Sequence, residues 1–114
     1  MFDQKSVKKL NELVISKDIK LLEISPKLFD PYRFLIMKIL HAQGPVGFSE
    51  LKQDLNLSDG NLANHLHVLE EGGYITSQKE FRNKKPRTTY DVTPEGQDSF
   101  FLLKERLKVL VNEY

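Results

Sequence analysis

The stretch from Ser58 to Gly73 constrains the fold most, because its start, its apolar face and its end are all legible in the sequence. Ser58 is a favourable N-cap residue, and Asp59 places a negative charge at the positive end of the helix dipole. Leucines then recur at helical spacing and form one apolar stripe. They are Leu62, Leu66 and Leu69. Gly72-Gly73 ends the predicted helix, where a positive φ is usually needed.

The outer face of this helix carries amides and an imidazole in place of the usual lysines and glutamates. The outward residues are Asn61, Asn64, His65 and Val68. A carboxamide can make two hydrogen bonds to the edge of an adenine, which favours base contact. Capping and solvation remain the alternative for both asparagines. For His65, donation to a phosphate or a base and the role of a satisfied interface residue are equal alternatives. His67 points away from His65 and His41 stands alone, so no metal site is predicted.

Two predicted helices precede this one. Asp30-Pro31 starts the first, with Asp as N-cap and proline at the first helical position, and Gly44-Pro45 ends it. A short extended stretch, 46–48, leads into a second helix over 49–55. A tight turn at Asn56-Leu57 then joins it to the Ser58 helix. This order is a helix-turn-helix, in which the second helix presents polar side chains to the DNA major groove.

Alternating residues after Gly73 predict a β-hairpin with strands over 74–81 and 88–93. We expect Tyr90 and Val92 to face inward and Thr89 and Asp91 to face outward. The connection Arg82–Arg87 is polar and basic. Residues 79–87 carry a net charge of +4 in a chain whose formal net charge is +1, so the rest of the chain sums to −3.

Such a focus of positive charge favours phosphate binding over the alternative of a solubilising hairpin tip. We expect Arg82 and Arg87 to enter a narrow minor groove. Lys84 and Lys85 are expected to contact phosphates. A basic hairpin directly after a helix-turn-helix is a wing.

Amphipathic helices are also predicted at both ends of the chain. One lies within residues 5–22, and the other runs from Pro94 to about Tyr114 with apolar residues at heptad spacing. Apolar residues on more than one face favour a homodimer over a helix folded back on its own domain, although both can hold on different faces. The candidate dimer residues are Val7, Leu10, Val14, Phe34, Met37, Phe100, Leu103, Leu107, Leu110 and Tyr114.

Composition limits the class of protein. The 114 residues are 39% hydrophobic and 29% charged, with no cysteine and no apolar run long enough to span a bilayer. The N-terminus lacks the pattern of a secretory signal, so we expect a cytoplasmic protein. Glu70 and Glu71 are adjacent and cannot face each other across a substrate. No phosphate-binding glycine loop or nucleophile elbow is present, so neither an enzyme nor a cofactor is predicted.

Together these segments resemble the winged helix-turn-helix transcriptional regulators of the MarR and ArsR kind. The resemblance lies in residues 28–40, 48–75 and 82–96, whose sequences are LFDPYRFLIMKIL, FSELKQDLNLSDGNLANHLHVLEEGGYI and RNKKPRTTYDVTPEG. It implies that the terminal helices build a dimer and that the wing tip contacts the minor groove or phosphates. One departure from the pattern is that no Lys or Arg lies between residues 53 and 78.

The predicted fold class is mainly α with a small β-hairpin wing (α+β). We divide the chain into an N-terminal extension over 1–27, a winged helix-turn-helix over 28–93 and a C-terminal dimerisation helix over 94–114. The predicted function is sequence-specific binding of double-stranded DNA by a homodimer, with helix 58–73 in the major groove and wing 79–90 on the minor groove or phosphates. A protein–protein assembly module and a non-specific architectural DNA binder are the alternatives. A small-molecule effector is not evident, although leftover apolar surface at Phe34, Met37 or Phe101 could line a pocket.

Overall fold

A computed structural model describes residues 27–112 and shows four helices and a three-stranded antiparallel sheet, which confirms the predicted fold class. In chain order the elements are α1 (Pro31–Gln43), β1 (Val46–Gly47), α2 (Phe48–Leu55), α3 (Asp59–Glu71), β2 (Ile75–Arg82), β3 (Lys85–Val92) and α4 (Pro94–Asn112). The strands are arranged in the order β1-β3-β2. The helix predicted within residues 5–22 lies outside the described residues. Within them, no helix is both long and apolar enough to cross a bilayer.

The predicted helix starts are confirmed. The Asp30 carboxylate accepts hydrogen bonds from the backbone N–H of Tyr32 (2.9 Å) and of Arg33 (3.1 Å). The Ser58 hydroxyl accepts one from the Asn61 N–H at 3.2 Å. Each bond satisfies an amide that has no partner within its own helix. At the end of α3 the positive φ, +78°, falls on Gly73, since Gly72 is still in a helical conformation.

The core lies between the four helices and the inner face of the sheet. Its buried members are Leu28, Ile36, Met37, Leu40, Val46, Leu51, Leu62, Leu66, Leu69, Ile75, Phe100 and Leu103. All three leucines of the predicted α3 stripe are among them, so that stripe is confirmed as the buried face of the helix. On α1 the buried face consists of Ile36, Met37 and Leu40, whereas Tyr32 and Leu35 lie at the surface.

The hairpin differs from the prediction in the length of its connection. The strands pair as far as Arg82 opposite Lys85, so the turn is only Asn83-Lys84 and not the six residues expected. Both turn residues have positive φ, 54° and 63°, which is the type I′ geometry that matches the twist of paired strands. Pro86 follows the pair next to the turn, so its nitrogen points away from β2 and its missing N–H breaks no bond of the ladder.

Thr89 was expected to face solvent, but it is buried, with a relative exposure of 9%. Gly47 of β1 pairs opposite Thr89, and α2 follows β1 directly, so the side of β3 expected to be open is covered. The Thr89 hydroxyl is 3.4 Å from the Gln78 carbonyl oxygen, to which it donates. Tyr90 and Val92 pack against the core, as predicted.

Helix α4 is held against the sheet by a close backbone approach. The Thr93 hydroxyl accepts a hydrogen bond from the Gly96 N–H at 2.9 Å and donates to the Gly73 carbonyl at 2.6 Å. Gly96 is buried, and a Cβ there would overlap the backbone carbonyl oxygen of Tyr74. Only glycine therefore allows the first turn of α4 to lie this close to the start of β2.

We therefore expect Gly96→Ala to lower the free energy of unfolding by about 1–3 kcal/mol, although alanine favours helices. Urea denaturation followed by circular dichroism measures the change. Gly60→Ala on α3 is the matched control, because no atom lies within 4 Å of that Cβ. This control should raise the free energy of unfolding by up to about 1 kcal/mol. Two shifts of the same sign would contradict the close-approach account.

Candidate nucleic-acid interface

The first two turns of α3 present an exposed polar surface. Ser58, Asp59, Asn61 and Asn64 are all exposed. Neither carboxamide takes part in a hydrogen bond within residues 27–112, since the bond from Asn61 to Ser58 uses its backbone N–H. Their donors and acceptors therefore face outward, where base edges could meet them. Backbone amides of the first helical turn lie beside them and carry a positive partial charge.

The start of α3 is fastened to α2 by an ion pair. The Lys52 ammonium lies 2.8 Å from the Asp59 carboxylate, and both side chains are largely exposed. An exposed pair of this kind contributes about 0–1 kcal/mol. Its effect on the interface is to offset the negative charge of Asp59, which would otherwise face any phosphate approaching this end of the helix.

His65 is packed between helices. Its ring lies 5.5 Å, between centroids, from the ring of Tyr32, and its Nδ1 is 3.1 Å from an Arg33 guanidinium nitrogen. The Asp30 carboxylate is 3.8 Å from the same Nδ1, and only 15% of the His65 side chain is exposed. Because guanidinium can only donate, Nδ1 is the acceptor and we assign the ring proton to Nε2. The structure therefore places His65 at the interface between α1 and α3.

Val68, the other outward candidate towards the end of α3, is half-buried. The free polar surface of the helix is thus narrower than the sequence predicted. Of the predicted contact residues on α3, those that remain exposed lie in its N-terminal half, which is the part that recognition helices usually insert.

The wing tip lies at the surface. Arg82, Lys84 and Lys85 are exposed, and the two-residue turn holds these three cations within one reversal of the chain. Phe81 stands beside them with a relative exposure of 80%. Three positive charges close together at one turn are suited to contacts with phosphate oxygens.

Arg87 occupies a different environment from the tip. One guanidinium nitrogen lies 2.8 Å from a carboxylate oxygen of Glu50 on α2, and Nε lies 3.7 Å from a carboxylate oxygen of Glu80 on β2. Only 27% of the side chain is exposed. The sequence placed Arg87 in the minor groove with Arg82, but the structure pairs its charge within the protein.

A polar cleft of about 530 Å³ separates the wing from the start of α2. Ser49, Arg82 and Lys85 are among the residues that line it, and Tyr90 lies at its inner wall. Burial, and to a smaller extent the negative charge of Glu70, raises the pKa of the Tyr90 phenol above its usual value near 10. The hydroxyl thus stays protonated at neutral pH.

Apolar residues proposed for a dimer fall into two groups. Met37, Phe100 and Leu103 lie in the core of the domain with relative exposures of 0–2%, so they are already covered without a second copy. The ring of Phe34 packs 5.2 Å from that of Phe100. The first turns of α4, which carry apolar residues at heptad spacing, therefore pack against the domain itself. Because α4 contributes to the core, the predicted division of the chain at residue 94 separates this helix from the core to which it belongs.

The second group remains at the surface. Phe34 and Leu107 are partly buried and together border two adjoining apolar clefts of about 260 and 300 Å³. Exposed apolar side chains nearby or along α4 are Phe29, Phe101, Leu102, Val109 and Val111. Leu110 is half-buried. Of the pocket candidates, Phe34 lines these clefts, whereas Met37 is fully buried and Phe101 lines neither. Val7, Leu10, Val14 and Tyr114 lie outside the described residues.

Three features of the site were missed in the sequence. Arg33 and Glu50 act on residues more than 30 positions away, and no local pattern signals such contacts. The two-residue turn did leave a signal, because Asn83 is a residue type that tolerates positive φ and is favoured in type I′ turns. Among residues 27–112, no group of three or more His, Asp or Glu side chains could hold a metal ion.

Residues 32–111 match the family model of the winged helix DNA-binding domain, which spans α1 through α4. The chain belongs to this family. Its members are DNA-binding transcriptional regulators, which are not a class of enzymes. This assignment confirms the resemblance seen in the sequence. The exposed α3 surface and the basic wing both lie within the matched residues.

Individual proteins are also similar to this chain. An uncharacterized protein from Methanocaldococcus jannaschii is 35% identical over 68 residues, which cover 60% of this chain and 74% of the relative. A transcriptional regulator homologue from Pyrococcus horikoshii has a TM-score of 0.77 at 29% identity, covering 84% of this chain and 95% of its own. A protein assigned to the MarR family from Enterococcus faecalis has a TM-score of 0.64 at 21% identity, covering 92% and 83%, a likeness of fold.

Proposed function

We propose that this winged helix protein is a sequence-specific regulator that binds double-stranded DNA as a homodimer. The N-terminal half of α3 lies in the major groove, and the wing lies on the adjacent minor groove or phosphates. The observation that carries the proposal is the pairing of two accessible surfaces, one polar and uncharged on α3 and one strongly basic at the wing tip. The first is suited to bases and the second to phosphates.

The division of labour follows from charge. Lys52 is already paired with Asp59, and the described part of α3 contains neither Lys nor Arg. Attraction to the phosphate backbone must therefore come mainly from Arg82, Lys84 and Lys85. Sequence preference must come from Asn61 and Asn64, since a carboxamide matches the adenine edge with two hydrogen bonds.

The homodimer is supported by apolar surface that remains exposed among residues 27–112. The clefts beside Phe34 and Leu107, together with the exposed Val109 and Val111 of α4, provide apolar surface outside the core. Two-fold symmetry would place two α3 helices on one face of DNA, with half-sites roughly 10 bp apart or a multiple of that spacing.

For the wing, we expect Lys84→Ala/Lys85→Ala to weaken duplex binding by about tenfold or more and to lower the slope of log K against log [salt] by about 2, because two phosphate contacts are lost. Fluorescence anisotropy over a salt series measures both. Lys38→Ala is the control for Lys84→Ala, because each variant removes one positive charge and Lys38 is exposed on α1, outside the wing. Equal effects of these two would show that net charge alone governs binding, and no salt-dependent binding by the wild type would favour the protein-assembly function.

For α3, we expect Asn61→Ala or Asn64→Ala to reduce discrimination between bases by about 1–3 kcal/mol at one position of the site without changing the salt slope. Selection of bound duplexes followed by sequencing measures the preference of each variant. His67→Ala is the control, because this 70% exposed side chain lies on the same helix beside Glu71. An unchanged base preference in both asparagine variants would leave a non-specific architectural binder as the better account.

For the dimer, we expect Val111→Asp to halve the mass found by sedimentation equilibrium, because it places a charge in the apolar face. The domain should remain folded, since 72% of Val111 is already exposed. Gln97→Asp, an exposed substitution at the other end of α4, should leave the mass unchanged. A wild type that is monomeric at tens of micromolar would contradict the proposal.

A further inference from the structure

We propose that Arg87 is a positioning residue that joins the wing to the helix-turn-helix, and that it holds the basic tip in register with α3 without contacting DNA itself. This inference rests on the proposed function, because it concerns the same interface. It assigns to Arg87, Glu50, Glu80 and Gly47 a role that the DNA-contacting residues do not share. We call these four residues the wing strut.

The strut joins three elements through one guanidinium. Arg87 stands directly opposite Glu80 in the register of β2 and β3, and its Nε is 3.7 Å from that carboxylate. The other end of the guanidinium reaches across to α2, where it meets Glu50 at 2.8 Å. Arginine is suited to this position because its planar fork can face two carboxylates from one side chain, which a lysine ammonium cannot do in the same way.

Part of the guanidinium is removed from solvent, while 27% of the Arg87 side chain remains exposed. Its Nε is buried and has no hydrogen-bond partner within the described residues, since 3.7 Å to Glu80 is too long for a hydrogen bond. A Cβ on Gly47 would lie 2.9 Å from an Arg87 guanidinium nitrogen and would overlap the Glu50 carboxylate. The absence of a side chain at Gly47 thus leaves the space in which the ion pair sits.

The position of α2 explains why this contact matters for DNA. Glu50 near the start of α2 holds the wing, whereas Lys52 on the same helix is paired with Asp59 at the start of α3. The short helix is therefore linked by charge to both proposed contact surfaces. A wing that tilts relative to α2 would move its cations away from the phosphates that flank the groove occupied by α3.

The direction in which one substitution changes DNA affinity separates this role from simple electrostatics. Glu50→Gln removes a negative charge from the basic side of the protein, so electrostatics alone predicts equal or tighter binding to duplex DNA. The strut predicts the opposite, about threefold to tenfold weaker binding, because Arg87 loses its charged partner on α2. Asp54→Asn is the matched control, since it removes the same charge from an exposed residue one turn along α2 and forms no ion pair within residues 27–112.

Two further variants keep the charge constant. Gly47→Ala should weaken binding by a similar factor, because its new methyl group displaces the Glu50–Arg87 pair while the net charge is unchanged. Arg87→Lys should also weaken binding, whereas a residue that only contacts phosphate would tolerate lysine.

The measurement is anisotropy with a fixed duplex over a salt series, together with hydrogen exchange of the free protein. The strut predicts faster amide exchange in residues 79–88 for Glu50→Gln and Gly47→Ala, with α3 unchanged. Glu50→Gln binding as tightly as Asp54→Asn, with unaltered exchange in the wing, would overturn the strut while leaving the proposed function intact. A wild type that shows no salt-dependent binding would overturn the proposed function. In that case, unaltered amide exchange of residues 79–88 in Glu50→Gln and Gly47→Ala would separately overturn the strut.

Discussion

Burial of the leucine face of α3 is the constraint on which the rest of the structure depends. Leu62, Leu66 and Leu69 are almost completely removed from solvent. Burying one such side chain contributes about 1.5–3 kcal/mol, so the three fix the rotation of the helix about its axis. Once that face is inward, Asn61 and Asn64 must lie outward. The accessible polar surface is thus a consequence of core packing and of the Ser58 cap that sets where the helix begins.

The wing depends on the same core through β3. The central strand carries Tyr90 and Val92 against the core and pairs with β2 over eight residue pairs. Its N-terminal end extends beyond β1 and is joined to β2 by the type I′ turn at Asn83-Lys84. Pairing along the hairpin does not fix the angle between the hairpin and the helices. In our proposal, Arg87 at the base of the wing fixes that angle. Charge at the tip and charge at the base therefore have separate roles.

Local signals in the sequence predicted most of the fold. Caps at Asp30 and Ser58 involve residues two or three positions apart, and the leucine stripe of α3 repeats within one helix, so both are determined over short distances. The hairpin was predicted with a connection that was too long, because the basic residues near Pro86 suggested a loop. The pairing of Gly47 with Thr89 joins distant segments, so the burial of Thr89 left no local trace.

The candidate site was predictable only where no tertiary partner intervenes. Lys84 and Lys85 are exposed, as a basic turn implies, but the same composition gave no means to separate them from Arg87, whose partner lies on α2. His65 likewise occupies an outward helical position whose neighbour, Arg33, comes from α1. The apolar residues of α4 raise the same difficulty, since heptad spacing does not distinguish docking on the domain at Phe100 from docking on a second copy.

The central claim, that this winged helix protein recognises a DNA sequence, is tested most directly by selecting bound duplexes from a random genomic pool and sequencing them. We expect enrichment of a pseudo-palindromic motif with half-sites roughly 10 bp apart or a multiple of that, above a background that weakens steeply with salt. A bound pool with no enriched motif, or no duplex retained even at low salt, would contradict it.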